Sequence, residues 1–362
     1  MHSNQNQARA KALQHSEFYT QYTDIEKEIQ AYVEYNPDVF RGKTILCPCD
    51  DPATSQFPRY FVDNFDRLGI RELICSSVAP VDDNHWAEGE VRRGRIMRLT
   101  SVTNVDPENL PWQYLLGDGD FRSKEVTRLR DEADVVVTNP PIGKLFRQFF
   151  TWLTSAKKKF IIIVNINCIG YKDIFPLVMK NKVWKGARWH SRDEQKRLMR
   201  FEIREKARGR ESEILDGKTL VTVDCAGWLT NIPHSQMHRS MFLHSRLDNM
   251  RDIRFLSLKD GYQLYCNYST PIIDVPNANA IPYDWDGVMG VPLTWYEYYN
   301  PESWEILGIS NERHNESGLG KYAFTKRDGE DYRTWNGCAC IMKDGKITPQ
   351  YARLLIRRRR FG

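Results

Sequence analysis

The residues whose types could do chemistry most directly are the consecutive Asn139, Pro140 and Pro141. An amino group on a nucleobase, or an amide nitrogen, is a poor nucleophile because its lone pair is delocalised. The amide oxygen of Asn139 and the carbonyl oxygen of Pro140 can each accept a hydrogen bond from that nitrogen, which frees the lone pair for attack. The tripeptide therefore predicts transfer of a methyl group from a sulfonium to an amino nitrogen, without an ionised base.

A strand before the tripeptide and a helix after it must position these groups. Val135-Val-Val is typical of a strand buried on both faces of a parallel sheet. Pro140 biases Asn139 away from the helical region, so we expect Asn139 at the carboxyl end of the strand, where open α/β sheets bind ligands. Asn-Pro is also a common turn dipeptide, so a rigid loop is the alternative. The catalytic interpretation is favoured by apolar residues at helical spacing after the tripeptide: Leu145, Phe146, Phe149, Phe150 and Leu153.

Alternating strands and helices predict an α/β protein with a doubly wound Rossmann-like sheet. The predicted strands cover residues 44–47, 72–75, 135–137, 160–164 and 219–230. The predicted helices cover residues 24–36, 56–68 (closed by Gly69), 124–132, 145–156 and 172–181. The succession of strand, helix and strand at this spacing is the opening of a parallel sheet.

The alternation of helix and strand stops near residue 235, where we expect a domain boundary. Residues 1–15 are predicted to be a flexible N-terminus, residues 16–235 the domain that carries the tripeptide, and residues 236–362 an α+β region. Within the first domain, residues 184–217 are charged and lack apolar periodicity, which predicts an insertion over the surface. Within the second, residues 254–268 are predicted to form a hairpin.

The composition indicates a globular protein. Its 362 residues include 41% hydrophobic and 12% aromatic residues, enough for one large domain with an appendage or for two domains. No apolar stretch approaches the roughly 20 residues that cross a bilayer, and the first residues are polar, unlike a signal peptide. We therefore expect a cytoplasmic protein with no membrane partner.

The eight cysteines lack the spacing of a disulfide framework. Cys47/Cys49 and Cys338/Cys340 are Cys-x-Cys pairs, which could suggest zinc, but structural zinc sites usually use Cys-x-x-Cys with further His or Cys partners. Buried thiols in a reducing compartment are the favoured interpretation. The sequence therefore predicts no metal site.

Basic residues are clustered although the net charge is only +5. Such clusters are usually solvated faces. In a chain that also carries a tripeptide suited to base modification, they favour contacts with nucleic-acid phosphates. The predicted DNA contacts are Arg92, Arg93, Arg95, Arg98, Arg357 and Arg358.

Loops at predicted strand ends can hold a methyl donor beside the tripeptide. The two acids after the first strand suit the ammonium of an amino acid moiety, and the acid and aromatic of Gly-Asp-Gly-Asp-Phe suit an adenine amino group and ring face. Two residues before the first helix can cover the pocket. Taken singly, each acid is more typical of a helix cap or a solvated loop residue, whereas the acids together with Asn-Pro-Pro favour a donor site. The candidate donor contacts are Phe18, Thr20, Asp50, Asp51, Asp120 and Phe121.

Several motifs, in chain order, resemble one known family. They are Ser16-Glu-Phe-Tyr-Thr-Gln-Tyr, Cys49-Asp-Asp-Pro, Gly117-Asp-Gly-Asp-Phe and Thr138-Asn-Pro-Pro. The chain looks like the amino-methyltransferases of DNA, in particular the EcoRI-type adenine-specific DNA methyltransferases. The likeness continues in Trp228-Leu-Thr-Asn, Asp286-Gly-Val-Met-Gly-Val-Pro and Tyr299-Asn-Pro-Glu.

The resemblance implies roles for these segments. Residues Asn139, Pro140, Pro141 and Ile142 would form the catalytic loop, and the six candidate donor contacts would bind S-adenosylmethionine. The region after about residue 235 would recognise double-stranded DNA. The implied reaction is direct methyl transfer, without a metal, to N6 of an adenine rotated out of the duplex. The resemblance also implies that a monomer can suffice, with a cognate restriction endonuclease as a candidate partner.

The chain departs from the usual pattern of such enzymes at three places. Cys49-Asp-Asp-Pro stands where a glycine-rich loop usually follows the first strand, a departure that the EcoRI type shares. Ile142 stands where an aromatic residue usually stacks on the base, and stacking contributes roughly 0.5–1.5 kcal/mol beyond area burial, so base capture should weaken by about ten-fold or less. Ser76-Ser77 stand where a carboxylate usually binds ribose hydroxyls, a role that Ser76 or Asp82 could take. The open alternatives are N4-methylation of cytosine, methylation of RNA or of a protein glutamine amide, and a catalytically silent module that binds S-adenosylmethionine or DNA.

Overall fold

The computed structural model describes residues 19–79, 92–188, 199–203, 212–215, 217–223, 225–238, 240–312 and 315–359. The chain divides into two compact units. The first unit comprises Met1–Ile166 and Val183–Met237, and the second comprises Asn167–Lys182 and His238–Gly362. The sequence placed residues 167–182 before the domain boundary, whereas in the structure this segment belongs to the unit that contains the C-terminal residues. The predicted flexible N-terminus lies outside the described residues.

A large mixed sheet organises the first unit. The strands of this unit are β1 (Tyr19–Thr20), β2 (Thr44–Cys47), β3 (Glu72–Ser77), β4 (Arg95–Leu99), β5 (Gln113–Tyr114), β6 (Val135–Thr138), β7 (Lys159–Asn165), β8 (Trp184–Lys185), β9 (Arg200–Ile203), β10 (Ser212–Leu215), β11 (Lys218–Thr222) and β12 (Ala226–Thr230). Within the described ranges, the eight-stranded sheet has the order β5-β4-β3-β2-β6-β7-β12-β8. Strands β3, β2, β6 and β7 pair in parallel. The other strands pair antiparallel at the two edges, so the predicted α/β class is confirmed with a sheet that is parallel only at its centre.

The central strands are buried on both faces, as their apolar runs predict. All four residues of β2 and all four residues of β6 are buried, and so are residues 160–164 of β7. Parallel strands covered by helices on both faces have this continuous pattern instead of an alternating one. The Asn-Pro-Pro tripeptide therefore directly follows a strand that is buried along its whole length.

The helices follow the sequence pattern with small differences. They are α1 (Tyr22–Tyr35), α2 (Gln56–Asp63), α3 (Phe65–Leu68), α4 (Lys124–Glu132), α5 (Lys144–Ser155), α6 (Phe175–Met179), α7 (Arg246–Arg251) and α8 (Tyr332–Asn336). The predicted helix over residues 56–68 is interrupted at Asn64. It ends at Gly69, whose φ of 64° is the left-handed conformation expected of a helix-terminating glycine. None of the helices in the described part of the chain is long and apolar enough to cross a membrane.

The described residues of the charged segment 184–217 include the strands β8, β9 and β10. Strand β8 completes the edge of the main sheet, and β9 lies in a second, antiparallel sheet of order β1-β9-β11-β10. The buried carboxylate of Glu28 anchors the chain after β8, because it accepts hydrogen bonds from the backbone N–H groups of Ala187 (2.9 Å) and Arg188 (2.8 Å). Helix α1 therefore holds this segment onto the first unit.

The second unit has its own small sheet. Its strands are β13 (Ile272–Asp274), β14 (Val288–Pro292), β15 (Trp304–Ile309), β16 (Cys340–Lys343), β17 (Lys346–Pro349) and β18 (Arg353–Arg358). In its described residues, the main order is β13-β14-β18-β15, and β16 pairs with β17 as a hairpin. The predicted hairpin over residues 254–268 is wrong, because Ile253–Leu258 is a 3-10 helix that Asp252 caps through its side chain.

Candidate active site

Two loops begin side by side at the carboxyl ends of β2 and β6. The two strands are parallel neighbours, with Ile45 opposite Val135 and Leu46 opposite Val136. The loop that follows β2 carries the Cys-Asp-Asp-Pro motif, and the loop that follows β6 begins at Asn139. Asn139 is half-buried and Ile142 is 50% exposed. The sheet thus brings the predicted donor side and the predicted catalytic side together at one edge.

Asp50 joins these two loops through its side chain. Its carboxylate is buried and accepts hydrogen bonds from Thr138 Oγ1 (2.5 Å), Ser55 Oγ (2.9 Å) and the backbone N–H of Asn139. Burial raises the pKa of Asp50 to about 7, while these hydrogen bonds favour the ionised form. The sequence predicted a contact with the donor's ammonium at this residue, and in the structure its carboxylate contacts the start of the loop that follows β6. Thr138 and Ser55 were not predicted as site residues, although Thr138 directly precedes the tripeptide.

Asp51 is paired with one of the arginines predicted to contact DNA. The distance from Arg95 Nη1 to Asp51 Oδ2 is 3.1 Å, and the two side chains are only 16% and 15% exposed. The guanidinium of Arg95 also lies over the ring of Trp112, 4.3 Å from its centroid, in cation–π geometry. Arg95 therefore supports the loop after β2 from within the protein.

The Gly-Asp-Gly-Asp-Phe loop lies against the end of β3. Gly119 has a φ of +80°, and a Cβ there would meet the carbonyl oxygen of Ser77 at 2.1 Å, so only glycine permits this approach. The backbone N–H of Ala79 donates to the carbonyl of Asp118 (2.9 Å). The hydroxyls of Ser76 and Ser77 are buried and have no hydrogen-bond partner among the described residues. The two serine hydroxyls at the end of β3 thus have hydrogen-bonding capacity that the described protein atoms do not use.

The last two residues of this loop, Asp120 and Phe121, differ in how accessible their side chains are to a ligand. Asp120 pairs with Arg122 (2.5 Å), which lowers the pKa of its carboxyl, and its side chain is 27% exposed. Phe121 is buried, and its ring packs edge-on against Phe149 and Trp152 at centroid distances of 5.3 and 5.7 Å. The predicted stacking of Phe121 on an adenine ring therefore competes with its packing against α5.

The remaining predicted site residues lie in different surroundings. Thr20 is buried in β1, and its hydroxyl has no partner within the described ranges. Arg98 lies on β4 and pairs with two carboxylates, those of Glu72 (3.0 Å) and Glu132 (2.5 Å). Phe18 lies outside the described residues. The exposed members of the predicted DNA-binding set are Arg92, Arg93, Arg98, Arg357 and Arg358. Arg357 pairs with Glu305 (2.9 Å), and Arg358 donates to the carbonyl of Tyr283 (3.4 Å).

The comparisons with known proteins agree with this geometry. A family model described as adenine-specific methyltransferase EcoRI matches residues 6–359. The chain belongs to this family. The curated relatives include the type II methyltransferase M.EcoRI of Escherichia coli, which is 34% identical over 304 residues, 83% of this chain and 87% of the relative. The comparison with solved structures gives no match.

Two mycoplasma proteins extend the comparison. The type II methyltransferase M.MpnI of Mycoplasma pneumoniae is 28% identical over 304 residues, 83% of this chain and 84% of the relative. The type II methyltransferase M.MgeORF184P of Mycoplasma genitalium is 29% identical over 335 residues, 91% of this chain and 94% of the relative. The predicted family is confirmed. The protein is an adenine-specific DNA methyltransferase, as the sequence resemblance implied.

Proposed function

We propose that the protein methylates N6 of an adenine that is rotated out of duplex DNA at a specific site, by direct transfer from S-adenosylmethionine. The observation that carries this mechanism is the position of Asn139, Pro140 and Pro141 at the carboxyl end of β6, beside the loop that follows β2. S-adenosylmethionine supplies an electrophilic methyl group when bound. The Asn139 amide oxygen and the Pro140 carbonyl accept from the two N–H bonds of the adenine amino group, and thereby aim its lone pair.

The donor's polar contacts are assigned to residues at the ends of β2 and β3. The close approach of Gly119 to Ser77 holds the Gly-Asp-Gly-Asp-Phe loop against the end of β3, and the unsatisfied hydroxyls of Ser76 and Ser77 suit ribose hydroxyls. Asp51 and Asp120 suit the ammonium and the adenine amino group, as the resemblance implied. The described residues contain no group of His, Cys, Asp or Glu side chains arranged to hold a metal ion, and the proposed chemistry uses none.

Ile142 is assigned to base capture. Its side chain is 50% exposed directly after the two prolines, so an extruded base can lie against it. An aliphatic side chain supplies apolar contact without the roughly 0.5–1.5 kcal/mol that aromatic stacking adds. We therefore expect a working enzyme with weaker base capture than an aromatic residue would give.

The second unit is assigned to target recognition, and the first to a Rossmann-like catalytic domain. The parallel order β3-β2-β6-β7, with helices between the strands, supports the Rossmann-like arrangement. Exposed Arg357 and Arg358 at the end of β18 support phosphate contacts by the second unit. We further propose that the enzyme acts as a monomer in the cytoplasm of a bacterial cell or phage-infected host, with a restriction endonuclease of the same specificity as its partner.

The test of the proposal is methyl transfer from labelled S-adenosylmethionine to unmethylated duplex DNA, followed by nucleoside analysis. N6-methyladenine confined to one short sequence is the expected result. N4-methylcytosine, or label in RNA or protein alone, would overturn it. The variant Asn139→Ala should lose nearly all turnover while its affinity for S-adenosylmethionine stays close to that of the wild type. Equal loss of both would assign Asn139 to structure instead of catalysis.

A further inference from the structure

The side chain of Asp50 connects the two loops of the candidate site. Thr138 donates to Asp50 Oδ2 at 2.5 Å across 88 residues of sequence, and Ser55 donates to Oδ1 at 2.9 Å. The backbone N–H of Asn139 donates to the same carboxylate. One buried side chain thus contacts the last residue of β6, the first residue of the tripeptide and the N-cap of α2.

Burial of the Asp50 carboxylate costs free energy. A buried carboxylate loses its hydration and is retained only where hydrogen bonds or cations replace the water. The neighbouring Asp51 has the guanidinium of Arg95, whereas the carboxylate of Asp50 accepts from two hydroxyls and a backbone N–H. Burial accordingly raises the pKa of Asp50 to about 7. Groups with strongly shifted pKa values are concentrated at functional sites, so a purely structural role accounts poorly for an acid at this position.

The hydrogen bonds to Asp50 constrain the tripeptide at its N-terminal end, and the two prolines constrain it at its C-terminal end. Pro140 and Pro141 fix φ after Asn139, and Asp50 holds the N–H of Asn139 and the hydroxyl of Thr138 before it. The backbone that carries both proposed acceptors is therefore held at each end. Transfer requires this control, because a misplacement of about 1 Å at a reacting group can cost about 100-fold in rate.

We propose that Asp50 is a positioning residue for methyl transfer, which through Thr138 and the Asn139 N–H holds the acceptor loop in register with the loop after β2. The inference rests on the proposed role of Asn139 and deepens it. It also differs from the donor contact that the sequence predicted for Asp50. Loss of a donor contact raises the dissociation constant of S-adenosylmethionine, whereas loss of positioning slows transfer from the bound donor.

Thr138 offers the sharpest test, because valine and serine separate its hydroxyl from its shape. In the full-length protein, Thr138→Val should lower the single-turnover rate of DNA methylation by about 10- to 100-fold. Its dissociation constant for S-adenosylmethionine, measured by calorimetry, should stay within about two-fold of the wild type. Thr138→Ser keeps the hydroxyl and should restore most of the rate. Asp50→Asn should slow transfer similarly, and the double variant should lose little more, because both changes break one interaction.

A matched control is Thr230→Val, which removes a buried hydroxyl from the same sheet. Thr230 donates to the carbonyl of Phe160 (2.7 Å) and lies opposite Ile161, near the start of β7. Its loss should lower stability without slowing single-turnover transfer. If Thr138→Val transfers methyl groups as fast as the control, or if Thr138→Ser is as slow as Thr138→Val, the positioning role is refuted.

The affinity measurement supplies a second way to refute the inference. If the dissociation constant of S-adenosylmethionine rises in Asp50→Asn by the same factor as the rate falls, Asp50 is a donor contact. Parallel assays of Asn139→Ala separate this failure from failure of the proposed function. An active Asn139→Ala variant would overturn the catalytic assignment itself. An inactive one, together with a normal Thr138→Val variant, would overturn only the role of Asp50.

Discussion

Replacement of Asp50 by asparagine should change how the stability of the protein depends on pH. Burial raises the pKa of Asp50 from 3.8 to about 7 in the folded state. A group whose folded pKa lies above its unfolded pKa binds more protons when folded, so its stabilising contribution is full below the unfolded pKa and is lost as pH rises through the folded pKa. The window for Asp50 therefore runs from about pH 4 to about pH 7, and asparagine does not titrate within it.

The size of the effect follows from the shift. The folded and unfolded pKa values differ by about 3 units, and each unit corresponds to about 1.4 kcal/mol. Across the window, the wild type should lose roughly 4 kcal/mol of unfolding free energy relative to Asp50→Asn. The other titratable groups that act on Asp50 are Asp51, Cys47 and Cys49. They are present in both proteins, and burial raises the pKa of each thiol well above 9, so both thiols stay neutral in this range.

Urea unfolding of both proteins at several pH values provides the assay. The quantity to follow is the difference between their unfolding free energies, because the titration of groups common to both largely cancels in it. As pH rises, the unfolding free energy of Asp50→Asn should increase relative to that of the wild type by roughly 4 kcal/mol in all. Thr138→Val should move the midpoint of the shift to higher pH, since the Thr138 hydroxyl stabilises the ionised carboxylate. A difference that stays constant with pH would refute the reasoning, because it would mean that Asp50 ionises in the folded state as easily as in water.

Three further variants test other parts of the site. Gly119→Ala should weaken S-adenosylmethionine binding by at least about ten-fold, because its Cβ would meet Ser77 O at 2.1 Å and displace the loop. Gly217→Ala has a similar φ of +75° but meets nothing within 4 Å, so calorimetry should find its affinity unchanged. Ile142→Phe should tighten binding of an extruded base by about ten-fold or less, measured with 2-aminopurine fluorescence, and unchanged fluorescence would remove Ile142 from base capture. Arg357→Ala should lower the slope of DNA affinity against salt by about one unit, and an unchanged slope would exclude a phosphate contact.

The strands and helices that carry the site could be predicted because local signals determine them. The valine run gave β6 within one residue, and α4 has the predicted bounds, since Ser123 caps it as the cap preference of serine suggests. The predicted hairpin over residues 254–268 failed for a local reason. Ser245 and Asp248 form a capping box for α7, and Asp252 caps the next turn, so helical signals precede this segment. Those helical signals were present in the sequence, and they outweigh the Asp260-Gly261 dipeptide, a turn signal on which the predicted hairpin rested.

The directions of the side chains could not be predicted, because they depend on which strands become neighbours. Asp50 and Asp51 are adjacent acids with equivalent sequence contexts, yet one faces Thr138 and the other faces Arg95. The parallel register of β2 with β6 decides the first contact, and the antiparallel strand β4 brings Arg95 to the second. The sequence predicted phosphate contacts for the cluster that contains Arg95 and Arg98, and the structure adds carboxylate partners for both. The charges of this cluster were visible in the sequence, but their partners come from other elements.

The assignment of segment 167–182 to a domain could not be predicted from the sequence either. The apolar residues of this segment continue the alternation of strand and helix that is typical of a doubly wound sheet. Apolar periodicity shows that a face is buried, but it does not show which core buries that face. In the structure, Gly170 lies so close to Ile309 that an added Cβ would meet its Cδ1 at 2.9 Å, and the chain re-enters the first unit only at Val183. A polypeptide that ended at Met237 would retain this segment and lose the strands on which it packs. The first unit therefore cannot be separated from the second by a single cut, although the sequence alone suggests that it can.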